Sequence, residues 1–168
     1  MVTDLVQIAR LGAKKRDENF CFRAYLKNHR HSDRRLQNFA QEIQEQIDCT
    51  ACANCCRVFE IEIKERDIEK LAKFIGVSRE EFLRDYTMRA ELDNELILKR
   101  GEGGCVFLKD NLCSVYDARP QNCAKFPHLV RGDGSIASRM WAMVDRTEYC
   151  PIVYNWMEKV KDEMGFRR

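Results

Sequence analysis

The chain has 168 residues, 45% hydrophobic and 33% charged, with 29 basic against 27 acidic side chains and a net charge of +2. That length fits one domain of the common ~100–200 residues, and the balance of apolar and charged residues argues against a disordered chain. Near-neutrality gives no electrostatic ground for a nucleic-acid partner, and no apolar run approaches the ~20 residues that cross a bilayer.

At the N-terminus, MVTDLVQIARLGAKKRDENF places its basic cluster after the apolar stretch. A secretory signal has the reverse order. The expected compartment is therefore the cytoplasm, where thiols stay reduced and cysteine patterns point to metal or redox chemistry. Leu5, Ile8 and Leu11 begin a helical stripe that Phe20, Phe22, Tyr25 and Leu26 continue less regularly. Ser32 is a good N-cap for a helix with Leu36, Phe39, Ala40, Ile43 and Ile47 on one face, ending at Asp48 beside the first cysteines. Val58 to Ile63 alternates Phe59, Ile61 and Ile63 with Glu60 and Glu62 and predicts a half-buried strand. Ile68, Leu71, Ala72 and Ile75 predict a helix stopped by Gly76. Ser78 and Glu81 form a capping-box pattern for a short helix carrying Phe82, Leu83 and Tyr86.

Beyond Gly101, Gly103 and Gly104 the apolar runs shorten. Cys105 to Leu108 and Leu112 to Tyr116 flank Lys109-Asp110-Asn111 and predict a small hairpin. Arg119-Pro120 and Phe126-Pro127 interrupt regular structure on either side of Cys123. After a turn at Gly132-Asp133-Gly134, Ile136, Met140, Met143 and Val144 suggest a short helix. Pro151 then opens a C-terminal helix with Ile152, Val153, Trp156 and Val160 on it and Gly165 at its end. The expected fold is mainly α with a small β-hairpin component (α+β), around an irregular, metal-stabilised cysteine core. Residues 1–48 form a helical segment packed on that core, and residues 49–168 the cysteine-cluster domain with its C-terminal helix, together one globular unit.

The strongest chemical signal is CTACANCC, which is Cys49, Cys52, Cys55 and Cys56. Two intervening residues let a pair of sulfurs turn toward one ion, as in zinc knuckles, and a succession of such pairs resembles iron–sulfur ligand runs. Side chains of adjacent residues such as Cys55 and Cys56 diverge by ~100° in a helix, so these two are expected to serve different centres or to bridge two metals. Cys105, Cys113, Cys123 and Cys150 follow, and the hairpin is expected to bring Cys105 and Cys113 together. Eight thiolates suit two tetrahedral four-sulfur sites, or one larger cluster plus a single ion. The metal is zinc or iron, the latter mononuclear or as an iron–sulfur cluster. Cys21, alone among Phe20, Phe22 and Tyr25, reads as plain core.

Other residues weigh less. Arg119 offsets the charge of a thiolate cluster as a binding residue beside it, or forms a surface ion pair. His128 follows Cys123 by five positions, but eight cysteines already supply the ligands. His29-Arg30-His31 with Arg34-Arg35 lacks interleaved aromatics and reads as a solvated turn. No phosphate loop, nucleophile elbow or HExxH motif is present, so no catalytic residue is identified and enzymatic activity is left open.

CTACANCC, GCVFLKDNLCSVYDARPQNCAKFPH and EYCPIV together resemble the YkgJ-like cysteine-cluster family, a zinc- or iron-chelating CxxCxxCC domain, over about residues 49–156. Tyr116, Arg119, Pro120 and Pro127 fit the same pattern, whereas Ala124 stands where a basic residue is common, with Lys125 beside it. The resemblance implies metal binding. Three functions follow as expectations: metal handling or redox; a metal-dependent enzyme or an accessory to a methylation-type modifying enzyme; or an interaction module with purely structural zinc.

Overall fold

A computed structural model describes residues 1–167. Three helices open the chain, α1 (Leu5–Lys14), α2 (Arg16–Asn28) and α3 (Asp33–Gln44). Single turns α4 (Cys49–Cys52) and α5 (Asn54–Val58) carry the first cysteines, and α6 (Glu65–Ile75) and α7 (Arg79–Tyr86) follow. Among the described residues, three antiparallel hairpins come next: β1 (Thr87–Arg89) with β2 (Leu96–Leu98), β3 (Arg100–Gly101) with β4 (Gly104–Cys105), and β5 (Leu108–Lys109) with β6 (Leu112–Cys113). A 3-10 turn at Tyr116–Ala118 leads into the single turn α8 (Gln121–Lys125), and α9 (Ile136–Arg146) and α10 (Pro151–Glu163) complete the fold. The protein is mainly helical with small β-hairpins.

Contacts divide the chain into two compact units, Met1–Asp48 with the residues from Pro127 onward, and Cys49–Phe126. In the first unit α10 packs on α3 and α1, and α9 packs on α2. Local chemistry sets each helix end. Asp4 accepts the Gln7 N–H at 2.8 Å, Ser32 caps α3, Ser135 caps α9, and Pro151 stands at the start of α10. Phe22, Leu26, Met140, Val153 and Trp156 are fully buried, each worth ~1.5–3 kcal/mol by removal from water. The Trp156 indole N–H donates to the Leu36 carbonyl at 2.9 Å, so its one polar atom is satisfied. Cys21 corrects the sequence expectation: it is exposed, because α2 buries Asn19, Phe22 and Leu26 instead.

The second unit has a smaller core of Ile61, Ile63, Ile68, Leu71, Phe82, Leu98, Phe107 and Val115, with Cys105, Cys113 and Cys123 packed against it. The α6 helix ends in Gly76 at φ +78°, the left-handed conformation glycine adopts without cost. The α7 helix has the expected Ser78–Glu81 capping box. The segment Val58 to Ile63 departs from a regular strand. Ile61 and Ile63 are buried as alternation requires, but the segment pairs with β2 only through a bridge at Glu62 and Ile97. Its backbone bonds there are Ile63 N–H to the Leu96 carbonyl and Leu98 N–H to the Ile61 carbonyl, at 3.0 and 3.1 Å. Val58 belongs to α5, and the three-residue β2 is too short to extend the ladder.

Candidate metal centre

The CTACANCC segment folds as two turns joined by a break. Cys49 and Cys52, three apart on α4, share one helical face. Ala53 then adopts a left-handed conformation, φ +44°, although it is not glycine and is almost fully buried. That conformation costs a non-glycine residue ~1–2 kcal/mol, and it redirects the chain so that α5 starts afresh. On α5 the neighbouring Cys55 and Cys56 keep their sulfurs in hydrogen-bonding contact.

Hairpins deliver the next two sulfurs. Gly104 has φ +104°, and a Cβ there would lie 2.7 Å from the Arg57 Cα and 2.7 Å from the Cys56 carbonyl oxygen. Only a residue without a side chain lets β4 lie so closely on α5, which sets Cys105 beside Cys56. Cys105 stands opposite Arg100 in β3–β4, whereas Cys113 stands opposite Leu108 in β5–β6. The two cysteines therefore occupy successive hairpins rather than the arms of one. Asp110 and Asn111, at φ +47° and +64°, make the second turn, the pattern of a two-residue hairpin loop. The Phe107 N–H donates to the Cys105 sulfur and the Val115 N–H to the Cys113 sulfur. Each donor lies two residues beyond its cysteine, and such bonds orient and stabilise a thiolate.

The α8 turn brings the fourth. The Gln121 N–H donates to the Asp67 carboxylate at 3.1 Å, and the Asn122 amide donates to the Glu62 carbonyl at 3.1 Å. Both bonds fix α8, and with it Cys123, to the core of its unit. Cys56, Cys105, Cys113 and Cys123 all lie within electrostatic reach of one another. Among the described residues, no three His, Cys, Asp or Glu side chains stand in position to grip one ion. The sulfurs are gathered, not closed.

Their acidities differ for identifiable reasons. The hydrogen bond from Cys55, against the opposing effect of burial and with help from the Arg57 and Arg100 guanidiniums, brings Cys56 down to about 7. Burial pushes Cys105 and Cys113 up, partly offset by their backbone N–H donors. Cys123 is pushed up furthest, by burial and then by its three sulfur neighbours, with Arg119 opposing. Arg119 lies over the Tyr116 ring, 3.9 Å from its centroid, and its charge acts on Cys113 and Cys123.

Arg57 and Arg100 escaped the sequence reading. Arg57 donates to the Cys52 carbonyl at 3.0 Å and to the Asn111 side chain, whose amide reaches the Ala51 carbonyl at 3.5 Å. Arg100 donates to the Phe59 and Arg57 carbonyls. The only sequence signal was Arg57 directly following Cys56. In the first unit, Cys150 is buried, 5% exposed, just before α10, and His128 has φ +67°.

A helical chain that gathers cysteines from the α5 turn, two hairpins and the α8 turn defines a cysteine-cluster protein. Residues 48–151 match the model of the CxxCxxCC family, described as "Putative zinc- or iron-chelating domain". The match covers more than half of the chain, and the protein belongs to that family. It takes in every cysteine from Cys49 to Cys150 and leaves Cys21 outside. No curated protein and no solved structure matches. No helix among the described residues is long and apolar enough to cross a membrane.

Proposed function

We propose that this protein holds a zinc or iron ion, or an iron–sulfur cluster, through thiolates and works in metal handling or redox. Cys56, Cys105, Cys113 and Cys123 form the heart of the ligand set, and the other cysteines of the matched span complete the pool, Cys49, Cys52, Cys55 and Cys150. What carries the proposal is the convergence of those four sulfurs from separate segments of one unit. A set of soft sulfur donors suits zinc and iron and disfavours magnesium and calcium. The chain's own residues supply the rest. Phe107 and Val115 N–H groups steady two sulfurs, while Arg57, Arg100 and Arg119 offset the negative charge that several thiolates bring. Cys56, Cys105, Cys113 and Cys123 would give up their protons to hold the ion as thiolates.

A purely structural zinc is the second reading, favoured by strands only two or three residues long in this unit. Metal analysis and an absorption spectrum of anaerobically purified protein test the proposal. The expected result is stoichiometric zinc or iron, lost in Cys105→Ser and Cys123→Ser. Full metal content in the variant carrying both substitutions would overturn it, as would an inability of the reduced protein to take up either metal.

A further inference from the structure

We infer that Arg119 is a docking point for a small carboxylate ligand, which its guanidinium fork holds on the Cys113 and Cys123 side of the sulfur group. This rests on the thiolate centre proposed above and names what that centre meets: a metal ion arriving as an anionic carboxylate complex.

Among the described residues, three guanidiniums act on the sulfurs, and they use their donors differently. Arg57 donates to the Cys52 carbonyl at 3.0 Å and to the Asn111 side chain, and Arg100 donates to the Phe59 and Arg57 carbonyls. Both brace the backbone around Cys56. Arg119 stands on the other side, where its charge acts on Cys113 and Cys123. Among the described residues, nothing accepts a hydrogen bond from its side chain and no carboxylate pairs with it. The Tyr116 ring covers one face of the guanidinium, its centroid 3.9 Å from Cζ. Stacking of that kind engages the flat face and leaves the N–H bonds, which lie in the guanidinium plane, available.

The mount is firm. Arg119 lies between Ala118 and Pro120, both buried, and the Ala118 N–H donates to the Val115 carbonyl at 2.9 Å. Just beyond the proline, the Gln121 N–H is fixed to the Asp67 carboxylate. A fork already held in place loses less freedom when a ligand binds. The site is also within reach of solvent: Tyr116 is 53% exposed, and Arg119, Cys113 and Cys123 are partly exposed.

Shape and charge select the ligand. A guanidinium grips a carboxylate through two parallel N–H···O bonds and matches its single charge. With one uncommitted cation at this position, a phosphate dianion would leave charge unmatched. As the sulfurs take the ion, each ion–oxygen bond breaks while an ion–sulfur bond forms, and the thiol proton passes to solvent. No electron is transferred, and the ion keeps its charge.

Two measurements test the inference. In reduced, metal-free wild-type protein, citrate alone is titrated while the Arg119 Nε–H resonance is followed by NMR. A saturable shift of that resonance is expected, and its absence would overturn the inference. Zinc uptake is then followed by stopped-flow, with zinc supplied either as its citrate complex or as the hydrated cation. Arg119→Gln is expected to slow uptake from citrate by about 10-fold or more, the effect of losing hydrogen bonds to a charged group, and to take up the hydrated ion no more slowly than wild type. Arg119→Lys, which keeps the charge without the fork, is expected to stay slow with citrate. Equal slowing from both sources in Arg119→Gln would overturn the inference, since the residue would then serve the fold or the sulfurs alone. Uptake from citrate at the wild-type rate in either variant would overturn it too. If the wild-type protein takes up zinc from neither source, the thiolate centre falls, and the citrate titration by itself decides the carboxylate site.

Discussion

The two units of this chain are built from different materials. The first is held by long amphipathic helices with Phe22, Leu26, Met140, Val153 and Trp156 sealed inside. The second, Cys49–Phe126, has two regular helices, α6 and α7, but holds its cysteines on helical turns of four or five residues and strands of two, at the margin of its apolar cluster. A helix buries a whole face in one continuous element, whereas a two-residue strand fixes as much backbone per residue and buries far less. The first unit therefore pays its ordering entropy with packing, and under the proposed function coordination is expected to supply part of the folding free energy of the cysteine-bearing segments of the second.

Substitutions separate the two modes. Trp156→Ala removes the largest fully buried side chain of the first unit and leaves the Leu36 carbonyl without its donor. It is expected to cost about 3–5 kcal/mol in denaturant unfolding, with zinc or iron content per folded chain unchanged. Gly104→Ala acts on the second unit. The new methyl would sit 2.7 Å from backbone atoms of Cys56 and Arg57 at a positive φ, a clash and backbone penalty of about 1–3 kcal/mol. Because β4 carries Cys105, the loss should be read as weaker metal binding by chelator competition.

A pH titration sharpens the contrast further. Burial raises Cys105, Cys113 and Cys123, so in the metal-free fold these thiols keep their protons above the usual thiol range. Loading must release those protons, and metal affinity is expected to rise with pH across the neutral to mildly alkaline range. Cys56, brought to about 7, is half ionised near neutrality and contributes less of that slope. Proton release measured in weakly buffered solution checks the sign; uptake on loading would contradict it. The smallest expected effect is at Cys21→Ser, on the exposed side of α2, which should change stability by no more than about 0.5 kcal/mol and leave metal content intact.

What was legible in the sequence was local. Ser32, Ser78 with Glu81, and Gly76 mark helix ends through bonds to residues three or four positions away, Pro151 marks one through its fixed φ, and each stands at a helix end in the structure. The CTACANCC spacing is equally local and pointed to the right family. The β1–β2 hairpin left no such mark, since its three-residue strands are too short to establish a period. Cys21 was misplaced because neighbouring aromatics suggested a core that the phase of α2 turns elsewhere. Arg57 and Arg100 became visible only once Gly104 had brought β3–β4 against α5, a contact spanning more than forty positions of sequence. Sites assembled from distant segments are specified by packing, which no short window contains.

Hydrogen exchange with and without a chelator tests most directly whether metal holds the cysteine unit together. With metal removed, amides in residues 49–126 are expected to exchange markedly faster, including those of Phe107 and Val115 that donate to sulfur. Amides within α1, α2, α3, α9 and α10 should keep their protection, since packing alone sustains them. Unchanged protection across residues 49–126 in verified metal-free protein would contradict this and make the ion a passenger on a preformed fold.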